Sequence, residues 1–597
     1  MLTLATGIVA NIAFYLQLLG WGYLVTNLKG ARKPDAHPGS LAIIGTAFLI
    51  CAGGFFTFWS MSPKSLYVIA IIGLLGAAGY MTQAADLAVL KKIPLTVWFV
   101  LAIIVVRVGF STAGALNAHD DYHGYLVLPQ KIQQTGTLAP DFFNERRMGV
   151  LGGAAYLQSL YLCFLPLDSI TGLDKGVGIL LIAGAVLSIL PNVIFERKGA
   201  LILLMCALLD FNSANVTFIY ISAALLSLLA SEVLSRDDTD ISCFQIAIIS
   251  TGLIAIKNYF IVPVLALLCL YLLKSLYARR ISGAYKTVAT LFLTLALLSP
   301  WLFLSLKSCG TLLFPLTGTG NHGSSYGLLE IANNAHLPMA KYAGYFWKFI
   351  TMPESLVCCL GLLQLRHCGK NREAIFAWLG VAALLSTAWL IVYKSMFLFR
   401  YAESIAGVGA LLTILWCFKN GKLRHVAACI LILFALKSGR IAGNYKSWCD
   451  LQDRRTSFAT MQTSMLKMQA AIPSKAPMAI FASHPFLLDF SRNPVHVFDH
   501  YGGASPPPGL PPNNEALLKK YLLAQGIRYL AFSYGDHANY GRNRYSSRLL
   551  SDGSPYGERV RRLALLNFNF QDMILSLGRS EKIVFDDGSN LVIDLSG

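Results

Sequence analysis

Long apolar runs recur along this chain, and they constrain its fold more than any other feature. The stretch "LAIIGTAFLICAGGFFTFWS" (41–60) carries no charge, and "EAIFAWLGVAALLSTAWLIVY" (373–393) carries one. About 20 helical residues, rising about 1.5 Å each, cross a hydrocarbon core of about 30 Å. In lipid every backbone polar group must be paired within the segment, so such runs read as helices. The expected fold class is a polytopic α-helical membrane protein.

Composition agrees. Of the 597 residues 55% are hydrophobic and 13% charged, against about 25% charged in soluble domains. The first apolar segment has no basic leader and no small-residue cleavage site, so it is read as a retained helix. The net charge of +18 (49 Lys+Arg, 31 Asp+Glu) would suggest nucleic acid in a soluble protein. Here it is read as short basic loops that orient the helices, with no nucleic acid partner. Of twelve cysteines only Cys449 lies in the polar C-terminal region, which therefore forms no internal disulfide. No Cys/His spacing suggests zinc.

Fourteen spans are expected: 3–27, 41–60, 65–83, 94–115, 176–195, 199–212, 214–234, 241–256, 259–273, 287–305, 350–365, 373–393, 402–418 and 425–440. Basic residues cluster after alternate spans, at Lys29, Arg32 and Lys33; Lys91 and Lys92; Arg197 and Lys198; Lys274, Arg279 and Arg280; Arg366, Lys370 and Arg372; and Lys419, Lys422 and Arg424. Placing these loops in the cytoplasm puts both termini outside. The apolar segment 149–167 would break that alternation, and is read as a helix lying at the outer interface. The outer face then holds the loop 116–175, the turn Asp210 to Asn215, the hairpin around Lys257, the loop 306–349, the short loop 394–401, and the tail from about 441.

The tail differs in kind. Short β-rich runs occur at 478–483, 495–500, 527–534 and 582–595, the last with "DDGSN" as a hairpin turn. Helical stretches "NEALLKKYLLAQG" and "GERVRRLALLNFNFQDMILSLG" each end at a glycine stop. This predicts a small extracytoplasmic α/β domain over 441–597. Residues 1–92 form an N-terminal set of helices and 93–440 the main transmembrane module.

The polar residues of the outer face carry the chemistry. Asp120 and Asp121 follow directly on a span, where carboxylates are costly unless they face a wet cavity. Adjacent acids suit a general base or a metal site, and equally a solvated helix end. His119 and His123 flank them as tuning groups, metal ligands, substrate contacts or simple interfacial residues. In "NERRMG", Glu145, Arg146 and Arg147 sit near the interface, and guanidinium forks suit phosphate or lipid headgroups. Pro129 suits the first turn of a short helix that Gly136 stops. Lys257 interrupts the apolar run 241–273, as an anion partner or a snorkelling lysine. Arg400 and Tyr401 open a late span, Asp210 ends another, and His322 lies in a Gly/Thr-rich loop that is either a flap or part of a site. Two acids, several cations and a flexible loop suit chemistry on a lipid phosphate.

The order of these parts resembles the GT-C superfamily of membrane glycosyltransferases, which includes protein O-mannosyltransferases and the bacterial aminoarabinose transferase. "NAHDDYHGYLVLPQKIQQTGTL" and "GVLGGAAYLQSLYL" match that family's acidic first outer loop and its interfacial helices. "GLIAIKNYF" is similar to its lysine-bearing hairpin. "SPWLFLSLKSCGTLLFP" resembles its "PW…N…G…FP" segment without the expected arginine and asparagine, and "LFRYAES" its late "RY" helix start. "YLLAQGIRYLAFS" resembles the strand opening of its tail domain. The likeness covers residues 95–440 in layout. Three extra spans precede the one that leads into the acidic loop, as an added module or partner surface.

The resemblance implies an inverting glycosyltransferase. A sugar would pass from a polyprenyl-phosphate donor to a glycan, lipid or protein acceptor outside the cytoplasm, in a cell envelope such as that of a bacterial inner membrane. Asp121 is expected as general base facing a wet outer cavity, with Asp120 supporting it or both binding a divalent metal (Mg or Mn). Lys257, Arg400, Arg146, Arg147 and Tyr401 are expected at the lipid phosphate, and His119, His123, Glu145, Asp210 and His322 at the substrate. An O-antigen-type polymerase or ligase is the nearest alternative, with His322 and Arg400 central. A lipid-linked saccharide transporter would show charges deep in several spans and an internal repeat. A noncatalytic assembly protein would tolerate loss of both acids.

Overall fold

A computed structural model describes residues 4–27, 37–84, 105, 111, 116–117, 121–139, 141–189, 216–235, 242–314, 316–322, 339–363, 372–395, 399–419, 458–498, 504–511, 513–534 and 555–597. Among the described residues, seven helices are long and apolar enough to cross a membrane: Ala5–Asn27, Pro38–Phe58, Ser65–Gln83, Leu167–Ile189, Asn258–Tyr277, Ile281–Cys309 and Ala374–Tyr393. Four shorter apolar helices accompany them, at Tyr220–Leu234, Cys243–Ile256, Pro353–Leu362 and Tyr401–Cys417. Eleven of the fourteen expected spans fall on these helices. The other three, 94–115, 199–212 and 425–440, lie outside the described residues apart from positions 105 and 111.

The helix Ile281–Cys309 shows why lipid is the fitting surrounding. Thr287, Thr290, Thr294, Leu298 and Trp301 are buried on one face, while Tyr285, Phe292 (71% exposed) and Leu295 stand open on the other. Leu75 is 67% exposed in the same way on the helix Ser65–Ala84. Apolar faces of this extent are hazards in water and ordinary in a bilayer. Glycine lets the first three helices close up: a Cβ on Gly20 would stand 1.8 Å from the Gly73 carbonyl oxygen, and one on Gly45 1.9 Å from that of Leu18. Without a hydrophobic driving force between helices in lipid, such close backbone approach is what holds them together.

The helix Gly153–Tyr161 has nine residues and is about 14 Å long, too short to span. Its residues are buried within the protein apart from the half-buried Ala154. A further helix, Met339–Ile350, begins within the segment 306–349.

The tail is an α/β domain built on five strands: β1 (Met478–Phe481), β2 (Val495–Val497), β3 (Tyr529–Ser533), β4 (Lys582–Asp586) and β5 (Asn590–Asp594). Their order is β2-β1-β3-β5-β4. β1 runs parallel to both β2 and β3, while β5 pairs antiparallel with β3 and with β4. The parallel strands need crossovers, and the helix Glu515–Ala524 lies on the one leading to β3. Its Asn514 side chain caps the first turn by accepting from the Leu517 N–H, as N-cap asparagines do. The β4–β5 turn is tied by Asp587 Oδ1, which accepts from the Ser589 and Asn590 amides, with Gly588 at φ 75°. The long helix Pro555–Ser580 precedes β4, and buries Phe570, Ile574 and Leu577 in the domain core.

The loop 116–175 of the transmembrane module is docked on this domain. Phe143 belongs to the domain core, packing on Phe498 with ring centroids 4.6 Å apart. Phe142 stacks on His496 at 4.4 Å. Tyr122, the neighbour of Asp121, sits among Phe458, His484 and Phe486 at 4.9–6.0 Å. The Phe490 amide donates to Gln134 Oε1 at 2.6 Å, and the Ser505 amide to the Asn321 carbonyl at 3.0 Å.

Candidate catalytic site at one end of the bundle

The acidic segment forms a short π-helical turn, Asp121–Tyr125, followed by the helix Val127–Thr135. Such turns are rare, and are found disproportionately at functional sites. Gly136 ends the helix at φ 74°, as its position in the sequence predicts. Asp121 is fully buried, which corrects the expectation of a wet cavity. Its Oδ2 accepts from the Asn117 amide at 2.7 Å and its Oδ1 from the Val216 amide at 3.1 Å. The carboxylate therefore joins the outer loop to the start of the segment that leads into the helix Tyr220–Ser235.

A second acid grips the same segment. Asp174 accepts from the amides of Ile219 (3.0 Å), Tyr220 (3.3 Å) and Ile221 (3.0 Å). It caps from another element, placing negative charge at the positive end of a helix. Sequence reading passed over Asp174. Its signal was a lone acid at the head of the apolar run beginning at 176.

Lys257 stands where the helix Cys243–Ile256 stops. Its extended backbone (φ −153°, ψ 133°) breaks the helix before a short turn, Asn258–Phe260, and a new helix, Ile261–Tyr277. This is the hairpin expected from "GLIAIKNYF". The Lys257 ammonium donates to the Tyr125 hydroxyl at 2.7 Å. It lies 5.4 Å from the ring centre of Tyr401, within cation–π range. Tyr401, buried, packs on Tyr259 at 4.6 Å. Arg146 crosses the acidic turn, since a Cβ on Gly124 would meet its Cδ at 2.4 Å. Asn258 ties the hairpin to the following loop by donating to the Phe314 carbonyl at 3.0 Å.

Asp121, His123, Arg146, Lys257 and Tyr401 thus gather at one end of the bundle. Lys257 borders a cavity of about 20 Å³ together with Gln158, Val216 and Thr217, room for about one water.

The other expected residues stand differently. Arg147 is fully buried and donates to the Val150 carbonyl, so it is not at the lipid interface. It lies with Asp141, which pairs with Lys131 at 2.9 Å. Burial pushes the Asp141 carboxyl upward against the opposing pull of Lys131 and Arg147, and burial lowers the Arg147 guanidinium. Glu145, His322 and Arg400 have described backbones only: Glu145 and Arg400 lie in the helices Glu145–Met148 and Phe399–Lys419, and His322 in the short turn Gly320–His322. Asp120, His119 and Asp210 lie outside the described residues.

Among the described residues, no three His, Cys, Asp or Glu side chains gather as metal ligands. Each Asp121 oxygen accepts one amide and keeps a second lone pair, so Asp121 offers one carboxylate toward the several oxygens that Mg²⁺ or Mn²⁺ takes, and its expected partner Asp120 lies outside the described residues.

Fold and site together define a helical membrane protein with an α/β domain seated on the loop that carries the acidic turn. No family model matches the chain, and no curated protein matches it significantly. Among solved structures it is similar to the crystal structure of the Archaeoglobus fulgidus oligosaccharyltransferase tethered to an acceptor peptide with an NVT sequon through a disulfide. That similarity has a TM-score of 0.41 and 11% identity, over 78% of this chain and 72% of that one.

Proposed function

We propose that this chain is a GT-C-like membrane glycosyltransferase. It moves a sugar from a polyprenyl-phosphate donor to a hydroxyl or amine of a glycan, lipid or protein outside the cytoplasm, in a bacterial inner membrane. The observation that supports this best is the meeting of three distant segments at Lys257. Its ammonium bonds Tyr125 of the acidic turn at 2.7 Å and faces the Tyr401 ring at 5.4 Å.

In this reading Lys257 takes the donor phosphate, with Arg146 and Arg400 completing the cationic wall. The cavity beside Lys257 is far smaller than a sugar, so donor binding exchanges the Tyr125 hydroxyl for a phosphate oxygen. The acceptor attacks the anomeric carbon, its proton passes to the Asp120–Asp121 pair, and polyprenyl phosphate leaves with its charge held by Lys257. One displacement inverts the anomeric centre. A divalent metal would add charge stabilisation, with Asp120 as its ligand.

Mass spectrometry of surface glycans and glycoproteins from a deletion strain tests the reading. A sugar missing from one class of molecule, restored by the wild-type chain and not by a Lys257→Met variant, supports it. An unchanged glycan profile, together with altered lipid-linked saccharide distribution across the membrane, would support a transporter instead.

A further inference from the structure

A second cavity, of about 290 Å³, opens at the seam between the outer loop and the C-terminal domain. That is near the lower end of the roughly 300–1,000 Å³ typical of small-molecule sites. None of the residues gathered around Lys257 lines it. Lys131 and Thr137 come from the loop, and Lys475, Phe490, Arg492 and His496 from the domain.

Its polar chemistry is one-sided. Asn493, also in the wall, is fully used: Oδ1 accepts from Gln469 and Arg492, and Nδ2 donates to the Pro473 and Ala476 carbonyls. The Thr137 hydroxyl accepts from the Ala139 amide. Donors remain. Lys131 spends one hydrogen bond on Asp141, and an ammonium has three. Lys475 is exposed, with no side-chain partner among the described residues. Arg492 closes the end of the helix Phe458–Ala470 through the Gln469, Ala470 and Ile472 carbonyls, and its charge stays at the wall. No carboxylate lines the cavity among the described residues.

His496 adds an independent sign. It is 5% exposed, and its Nδ1 has no hydrogen-bond partner among the described residues. Buried polar atoms in native proteins are nearly always satisfied. Phe490 supplies an apolar wall, with the Lys131 ammonium 5.6 Å from its ring centre.

We infer that the seam cavity binds a small anion, a monosaccharide carrying a phosphate or carboxylate. Lys131, Lys475 and Arg492 meet the charge, His496 and Thr137 meet hydroxyls, and Phe490 lies against the ring. Because loop and domain both supply walls, the ligand stabilises their docking by mass action. The inference stands apart from the transferase reading, since it concerns binding alone.

The test uses the full chain in nanodiscs of zwitterionic lipid, titrated calorimetrically with glucose 6-phosphate, glucuronate and glucose at millimolar concentrations. The two anions should bind, glucose should not, and the anions should raise the melting temperature. Lys475→Glu should weaken anion binding about 10-fold or more, the usual effect of losing one charged contact. Lys475 is exposed, so the variant should fold as wild type. Lys520→Glu, an equal charge change on an exposed residue of the helix Glu515–Ala524, should leave binding unchanged. The inference is overturned by absence of anion binding, by equal binding of glucose, or by equal weakening in Lys520→Glu, which would mean diffuse attraction only.

Discussion

A carboxylate that accepts two backbone amides cannot be exchanged for a carboxamide without cost. Asp121→Asn sets an NH₂ group against one of the Asn117 or Val216 amides. The expected loss is about 1–3 kcal/mol of stability from one unsatisfied buried donor, read as a lower melting temperature. Turnover should fall further, about 100- to 10,000-fold if the acid pair supplies the base. A variant that melts early but turns over normally when folded would leave Asp121 a purely structural tie. At Lys257 two substitutions should diverge. Lys257→Met should weaken donor binding about 10- to 100-fold, whereas Tyr125→Phe removes only the competing hydroxyl and should preserve or tighten it. Equal effects in a donor-binding titration would assign the pair to structure. His484 is half-buried and His496 buried, and burial lowers their pKa values to about 4 and about 3. An unfolded histidine titrates near 6.5, so below that pH the unfolded chain binds protons that the native one refuses. Stability should be full above about pH 6.5 and fall as pH drops toward 4. Thermal melts of His484→Phe should show a flatter decline than wild type over that window.

Among the elements, the start of the helix Tyr220–Ser235 depends on an acid far away in sequence. Asp174→Ala strands the Ile219, Tyr220 and Ile221 amides, at about 1–3 kcal/mol for each one left unsatisfied. Hydrogen exchange at those amides should rise sharply, while β1–β3 of the C-terminal domain stay protected. Equal exchange in both places would mean global unfolding. This contact shows where sequence reading ran out. Apolar run length located the helices, and alternation located the strands, because both are local signals. Lys257 and Tyr401 were legible because each interrupts or opens an apolar run. The partners of Asp174 and Asp121, and the seating of Phe143 in the domain core, depend on tertiary approach, and no local pattern announces them. Arg147 misled for the same reason: next to Arg146 in sequence, it turns into the interior beside Asp141 instead.

For the molecule as a whole, sidedness underlies everything else. In the proposed topology the helix Ile261–Tyr277 separates Lys257 from the basic turn at Arg279 and Arg280, which puts the two on opposite faces. With exposed native cysteines replaced, Ser282→Cys should resist a membrane-impermeant thiol reagent in intact cells, and Lys520→Cys should react. The measurement that bears most directly on the central claim is sugar transfer from a purified polyprenyl-phosphate donor in nanodiscs, with donor binding followed in parallel. The wild-type chain should transfer, Lys257→Met should lose donor binding and transfer together, and Asp121→Asn should bind donor yet turn over at least about 100-fold more slowly. Transfer at the wild-type rate by both folded variants would contradict the account.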